Sequence, residues 1–104
     1  MSANAHHCWA IITKSKGKAL NIIDSIKEEQ KSQGNNWVKE LYDGCGTTVY
    51  FKNGFCIKAF PPIENFRGFR FHRIWCDKDI DQDYLKQIIL PMACYMKYED
   101  IIWI

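Results

Sequence analysis

Short apolar runs alternate with amphipathic stretches along this chain, a pattern typical of a small α/β domain. The first run, residues 8–12, is continuously apolar, as expected of a strand buried on both faces of a parallel sheet. A helix should follow, beginning near Thr13 or Ser15, because either side chain can cap a helix. Its apolar positions recur three and four residues apart, at Ala19, Ile22, Ile23 and Ile26. The polar residues 33–36 should end it.

The middle of the chain predicts a β-hairpin. Two β-rich segments, residues 47–52 and 55–60, flank the dipeptide Asn53-Gly54. We expect a two-residue type I′ turn there, because Asn and Gly tolerate the positive φ angles that this turn requires. Pro61 should end the second strand, since proline cannot donate to a strand ladder.

The last third predicts a strand, a helix and a strand. Residues 71–76 have strand composition, and the acidic stretch 77–83 suits a helix N-terminus, where the backbone dipole favours negative charge. The helix should be amphipathic and end at Pro91, and residues 101–104 should form a final buried strand. The predicted order is therefore β-α-β-β-β-α-β, with a mixed sheet.

Composition agrees with one folded α/β domain that spans residues 1–104. The chain is 47% hydrophobic, and 14 Lys and Arg against 12 Asp and Glu give a net charge of +2, too small to identify a nucleic-acid binder. Five cysteines without CxxC spacing predict neither a disulfide framework nor a zinc ribbon. Because the sequence opens with no charged leader and contains no long apolar run, we expect a cytoplasmic protein that does not contact membranes.

Two motifs with catalytic associations are incomplete. Gly17-Lys18 after a strand suggests a phosphate loop, but Ile12 and Ala19 stand where that loop needs Gly and Ser or Thr. The alternating acids of residues 77–83 lack the Gly and Glu of a calcium-binding loop. We therefore predict no catalytic residue, no metal site and no cofactor.

A basic segment with interleaved aromatic residues is the candidate binding site. Its predicted binding residues are Arg67, Phe69, Arg70 and Arg73, with Lys58 on the preceding strand. Arginine beside aromatic rings suits phosphate contacts and base stacking. The same composition also describes an ordinary strand with a basic solvent face.

Taken together, residues 49–92 resemble the Walker B half of the ATPase core of phage terminase large subunits. The resemblance lies in the Asn-Gly hairpin, in the Arg-Gly-Phe-Arg loop of residues 67–70, and in the strand of residues 74–77, before a helix that ends in Pro91-Met92. The upstream strand and helix extend it to about residues 8–92. It implies an α/β fold and a basic loop that contacts DNA or nucleotide.

The departures from that family bear on function. The resemblance places Asp77 where the family has its magnesium-linked aspartate, but Lys78 replaces the glutamate that would activate water. An ammonium group there would repel the metal and could not accept a proton. With no phosphate loop either, we expect a protein that is not an enzyme.

Three hypotheses of function remain. The first is a small phage-type interaction protein that inhibits a host nucleic-acid machine, of anti-CRISPR or other anti-defence type, with a host protein or nucleoprotein complex as its partner. The second is a nucleic-acid-binding accessory, or a degenerate or split fragment of a DNA-packaging ATPase. The third and least favoured is a small metal-dependent enzyme built on Asp77, Asp79 and Asp81.

Overall fold

A computed structural model describes residues 8–42, 46–62, 71–92 and 98–104 of the protein. The strands are β1 (Cys8–Ile12), β2 (Trp37–Tyr42), β3 (Thr47–Phe51), β4 (Cys56–Phe60), β5 (Arg73–Cys76) and β6 (Ile102–Trp103). Helix α1 is Lys16–Ser32. Helix α2 consists of α-helical Gln82–Tyr84, π-helical Leu85–Ile89 and α-helical Leu90–Met92, and a 3₁₀ turn follows at Tyr98–Asp100.

The strands form one mixed sheet in the order β2-β3-β4-β1-β5-β6. The pairs β4–β1, β1–β5 and β5–β6 are parallel. The pairs β2–β3 and β3–β4 are antiparallel. The predicted α/β class and mixed sheet are therefore confirmed. Strand β1 lies between β4 and β5, so later strands of the chain add to both sides of the first strand.

Each helix covers one face of this sheet. On the α1 face the buried residues are Ile11, Ile23, Ile26, Val49, Phe51, Phe55, Ile57 and Ala59. On the α2 face they are Cys8, Ala10, Ile12, Phe60, Phe71, Ile74, Cys76, Ile80, Leu85, Ile89 and Ile101. Strand β1 contributes to both clusters, which explains its continuously apolar sequence.

Both predicted helices are confirmed. Ser15 caps α1 and accepts the Lys18 N–H on its Oγ at 3.2 Å. The Asp81 carboxylate caps α2 and accepts the Asp83 N–H at 2.9 Å. Pro91, in the last turn of α2, has no N–H and crowds the carbonyl four residues before it, which accounts for the wider π-helical turns that precede it.

The hairpin between β3 and β4 is confirmed, but the predicted type I′ turn is wrong. The Gly54 N–H donates to the Phe51 carbonyl at 3.0 Å, and the Phe51 N–H donates to the Phe55 carbonyl at 2.8 Å, so the loop is of the three-residue type. Gly54 ends this loop with a φ of 92°, which glycine tolerates best. The Asn53 Oδ1 accepts the Phe55 N–H at 3.0 Å.

The strand register explains the longer loop. Val49 pairs with Ile57, and both side chains belong to the buried α1 face. Thr48 pairs with Lys58 on the opposite face. A two-residue turn would shift the pairing by one residue and place Lys58 opposite Val49, on the apolar face. Burial of that face therefore selects the three-residue loop.

The two edge strands also differ from the prediction. Strand β2 was not predicted, and five of its six residues are exposed. Strand β6 was predicted to be buried, but it is the other edge of the sheet and Ile102 is 38% exposed. An edge strand has a neighbouring strand on one side only, so its side chains have solvent along the other flank.

Within the part of the chain that the structure describes, no helix has the length and apolar character needed to cross a lipid bilayer.

Candidate functional site

Asp77 lies at the carboxyl end of β5 and is buried against the end of β1. One of its carboxylate oxygens accepts the Thr13 hydroxyl at 2.7 Å, and the other accepts the Lys14 N–H at 2.9 Å. The Lys18 ammonium lies 3.9 Å from the first oxygen. Thr13, Lys14, Lys18 and Asp77 are called the Asp77 cluster below.

The Asp77 cluster ties β5 to the turn between β1 and α1. Thr13 donates to Asp77 and also accepts the Ser15 N–H on its Oγ1 at 3.0 Å, just before α1 begins. Both carboxylate oxygens already accept hydrogen bonds from the chain, so the buried charge is satisfied within the fold. Among the residues described, no three His, Cys, Asp or Glu side chains lie close enough to share a metal.

A cavity of about 360 Å³ opens at the same edge of the sheet, between the first turns of α1 and the ends of β2 and β4. Such crevices at the carboxyl ends of parallel strands are where α/β sheets bind ligands. Its lining includes Lys14, Lys16, Leu20, Tyr42 and Pro61. No Asp, Glu, His or Cys is among the described residues that line it, so those residues offer no carboxylate or imidazole as a general base.

A second site lies at the other end of β5, where Arg73 covers two indole rings. Its guanidinium carbon is 4.6 Å from the ring centroid of Trp9 and 5.8 Å from that of Trp75. The two indoles are 5.5 Å apart, and Phe55 packs edge-on against Trp9 at 4.6 Å. Because aromatic faces attract cations, the rings hold the exposed guanidinium in place.

Helix α1 forms the opposite wall of a groove of about 340 Å³ beside these rings. The Arg73 groove is defined here by Trp9, Ile22, Ile26, Glu29, Arg73 and Trp75. Glu29 and Arg73 are the charged members among the described lining. Ile102, which is exposed, pairs with Trp75 and extends the apolar surface toward β6.

The structure describes two of the five predicted binding residues, and they lie on opposite faces of the sheet. Lys58 and Ile74 both pair with Ala10, so they share the α2 face, whereas Arg73 precedes Ile74 and points to the α1 face. Arg67, Phe69 and Arg70 lie outside the described residues. Arg73 and Asp77 are four residues apart, and a strand rises about 3.3 Å per residue, so β5 separates them by about 13 Å.

Trp9 and Trp75, the floor of the groove, were not identified from the sequence. Each is the large aromatic residue of a short strand, a position that sequence analysis assigns to the core. The available signal was the indole itself, because tryptophan is rarely buried completely and keeps one polar edge near water.

A third exposed surface lies along β2, where Trp37, Val38, Leu41 and Tyr42 are 44% to 70% exposed. Glu40 of this strand accepts a hydrogen bond from the Lys27 ammonium of α1 at 2.6 Å and another from the Tyr42 hydroxyl. These two donors, Lys27 first, hold the pKa of Glu40 below its ordinary value. Lys27 also lies 4.5 Å from the centroid of the Trp37 ring.

Comparisons with protein-family models, with curated protein sequences and with solved structures found no match to this chain.

Proposed function

We propose that this protein acts by binding a protein partner and that the Arg73 groove is the contact surface. One observation carries the proposal: an exposed guanidinium rests on two half-exposed indoles and forms no ion pair with any residue that the structure describes. Arginine and tryptophan are the residue types that contribute most to binding energy at protein interfaces. Here three such side chains converge on one groove.

The groove suits a segment that carries a carboxylate beside an apolar side chain. The carboxylate would form two parallel hydrogen bonds with the Arg73 guanidinium, the strongest geometry for such a pair. The apolar side chain would pack between Trp9 and Ile22, where it removes apolar surface from water. The indoles already orient the guanidinium, so binding orders few additional side chains.

The charges of the groove favour a protein over a nucleic acid. Glu29 lies in the wall opposite Arg73, and a carboxylate there would repel a continuous phosphate backbone. The net charge of +2 adds little long-range attraction for a polyanion. A folded partner can instead present one carboxylate to Arg73 and keep its other acidic groups away from Glu29.

The partner that we propose is a host nucleic-acid machine, with this protein as a phage-type inhibitor of anti-CRISPR or other anti-defence kind in the host cytoplasm. The support is the resemblance of residues 49–92 to terminase cores, together with the absence of the catalytic pattern at Ile12, Ala19 and Lys78. On that resemblance, we expect a chain without the catalytic groups to act through what it binds.

A plaque assay tests this proposal directly. Cells with active CRISPR immunity against a phage express the full chain, and we expect plaque formation to be restored. Arg73→Ala should abolish the restoration, whereas Lys39→Ala, which removes an exposed charge from β2, should leave it intact. Circular dichroism checks that both variants are folded.

Two outcomes would overturn the proposal. One is the absence of restored plaque formation across cells carrying each major CRISPR type. The other is equal restoration by the wild type and Arg73→Ala, which would separate the activity from the groove. A stable complex between the wild type and a purified CRISPR effector, lost only in Arg73→Ala, would support both parts of the proposal.

The nucleic-acid alternative is favoured by one feature: Lys14 and Lys16 line the cavity between the first turns of α1 and the ends of β2 and β4. Together with Arg67 and Arg70 they could contact phosphates. Anisotropy of labelled duplex DNA should then show affinity that falls steeply between about 50 and 200 mM salt. The double change Arg67→Ala and Arg70→Ala should reduce the salt dependence by about two phosphate contacts. Such a result would replace the protein-partner proposal.

The proposal also implies no ATP hydrolysis above background. The Asp77 carboxylate is held by Thr13 and Lys14, and Lys78 offers no base. A phosphate-release assay on the full chain measures this. Turnover that disappears in Asp77→Asn would show that the chain is an enzyme.

A further inference from the structure

Two cysteines far apart in the sequence meet at the amino ends of β1 and β4. Cys8 and Cys56 are directly paired in the parallel register, and their Sγ atoms are 2.6 Å apart. Neighbouring strands lie about 4.8 Å apart, which falls within the range of Cα separations that a disulfide spans. The backbone therefore already holds the two residues at bonding distance.

The two thiols differ in exposure and in acidity. Cys8 is 5% exposed, whereas Cys56 is half-buried. The contact with Cys8 lowers the pKa of Cys56; burial opposes that effect in part, and the nearby Lys58 ammonium adds a smaller lowering. The same contact, together with burial, raises the pKa of Cys8. The more accessible sulfur is thus also the one that more readily forms a thiolate, as in a pair with an attacking and a resolving cysteine.

Cys76 is a buried thiol in the same fold whose environment disfavours the thiolate. It is fully buried at the end of β5, and burial, with the Asp77 and Asp79 charges, raises its pKa to about 12. It has no described cysteine beside it at bonding distance. It therefore serves as an internal control for Cys8 and Cys56.

We propose that Cys8 and Cys56 form a redox-active pair that closes into a cross-strand disulfide on reaction with a small disulfide such as oxidised glutathione. The Cys56 thiolate attacks one sulfur of the oxidant, which forms a mixed disulfide and releases one glutathione thiolate. The Cys8 sulfur then loses its proton and attacks Cys56 Sγ, which releases the second glutathione. Two protein thiols are oxidised, one oxidised glutathione is reduced to two thiols, and two protons pass to the leaving thiolates.

The bond would act as a covalent clamp on the sheet. It joins the first residue of β1 to the first residue of β4, two strands that are otherwise held by hydrogen bonds. Because the bond closes a long loop of chain, the oxidised form should resist denaturation more than the reduced form. In a cytoplasmic protein such a bond is transient and follows the redox state.

The test uses the purified, reduced full chain incubated with oxidised glutathione. We expect the intact mass to fall by the mass of two hydrogen atoms, peptide mapping to join residues 8 and 56, and two of the five thiols to become resistant to alkylation. The oxidised protein should unfold at a higher temperature, and a reducing agent should reverse all four changes.

Three variants separate the roles of the two sulfurs. Cys8→Ser should stop at the mixed disulfide and carry one stable glutathione on Cys56. Cys56→Ser should react at neither position, since Cys8 is buried. Cys76→Ala is the matched control, with the same number of thiols, and should still form the disulfide. A bond that maps to any other pair, or a wild-type chain whose residues 8 and 56 stay fully alkylatable, would overturn the proposal without reliance on any variant.

Discussion

The charged residues at the two ends of β5 have opposite surroundings. Asp77, after the last residue, is buried and accepts hydrogen bonds from Thr13 and Lys14. Arg73, the first residue, is exposed and rests on Trp9 and Trp75. The sequence motif draws attention to Asp77, whereas Arg73 is the residue that we propose contacts a partner.

This difference suggests a criterion for charged side chains in this fold: whether the hydrogen-bonding groups are already used within the chain. A buried carboxylate whose oxygens are both hydrogen-bonded stabilises the segments that supply the donors. A guanidinium held by aromatic rings keeps its N–H donors for another molecule. The two ends of β5 should therefore respond differently to mutation.

The largest effect should follow Asp77→Ala. The change leaves the buried Thr13 hydroxyl and the Lys14 N–H without their acceptor, and we expect a loss of about 2–4 kcal/mol in the free energy of unfolding. Urea denaturation followed by circular dichroism measures it. Asp79→Ala, at an exposed position two residues away, should change stability by less than about 0.5 kcal/mol. Equal effects of the two changes would contradict a structural role for Asp77.

Gly54→Val should have the second-largest effect on stability, because Gly54 precedes Phe55, which packs against Trp9 of the groove. The φ of 92° at Gly54 is strained for a β-branched residue and should lower stability by about 1–3 kcal/mol. The following residue, Phe55, packs against Trp9, so the tryptophan fluorescence should also shift. Lys52→Val, which places the same side chain at the first residue of the loop, is the control. An unchanged unfolding midpoint in Gly54→Val would show that the turn tolerates a side chain there.

Arg73→Ala should have a smaller effect on stability than either of these changes. Its described contacts are with the faces of Trp9 and Trp75 at an exposed site, and we expect a loss of about 0.5–1 kcal/mol. The same urea series measures it beside Asp77→Ala. A loss as large as that of Asp77→Ala would mean that Arg73 is a structural residue, and the comparison between the two ends of β5 would fail.

The smallest effect concerns the ion pair between α1 and β2. The pKa of Glu40 is lowered in the folded state, chiefly by Lys27, so its stabilisation is present at neutral pH and is lost as the pH falls through that lowered pKa. Lys27→Met should therefore flatten the decline of stability below about pH 4 and change neutral stability by less than about 1 kcal/mol. Lys31→Met, on the exposed end of the same helix, should leave the pH profile unchanged. Identical profiles for the wild type and Lys27→Met would refute the prediction.

The sequence by itself determined the elements whose signals are local. Helix α1 follows from apolar residues spaced by three and four and from a serine cap, and β1 follows from a run that is apolar throughout. The hairpin follows from Asn53-Gly54 between two β-rich segments. Each of these depends on residues within about a dozen positions of one another, so a single pass along the chain can detect them.

Other features depend on which strands become neighbours in the sheet, and only the tertiary structure determined these. The insertion of β1 between β4 and β5 brings Cys8 to Cys56 and places Trp9 beside Arg73. The same packing selects the three-residue hairpin loop, because a one-residue slip would bury Lys58 against Val49. Strand order is set by the burial of two sheet faces at once, and no local pattern encodes that requirement.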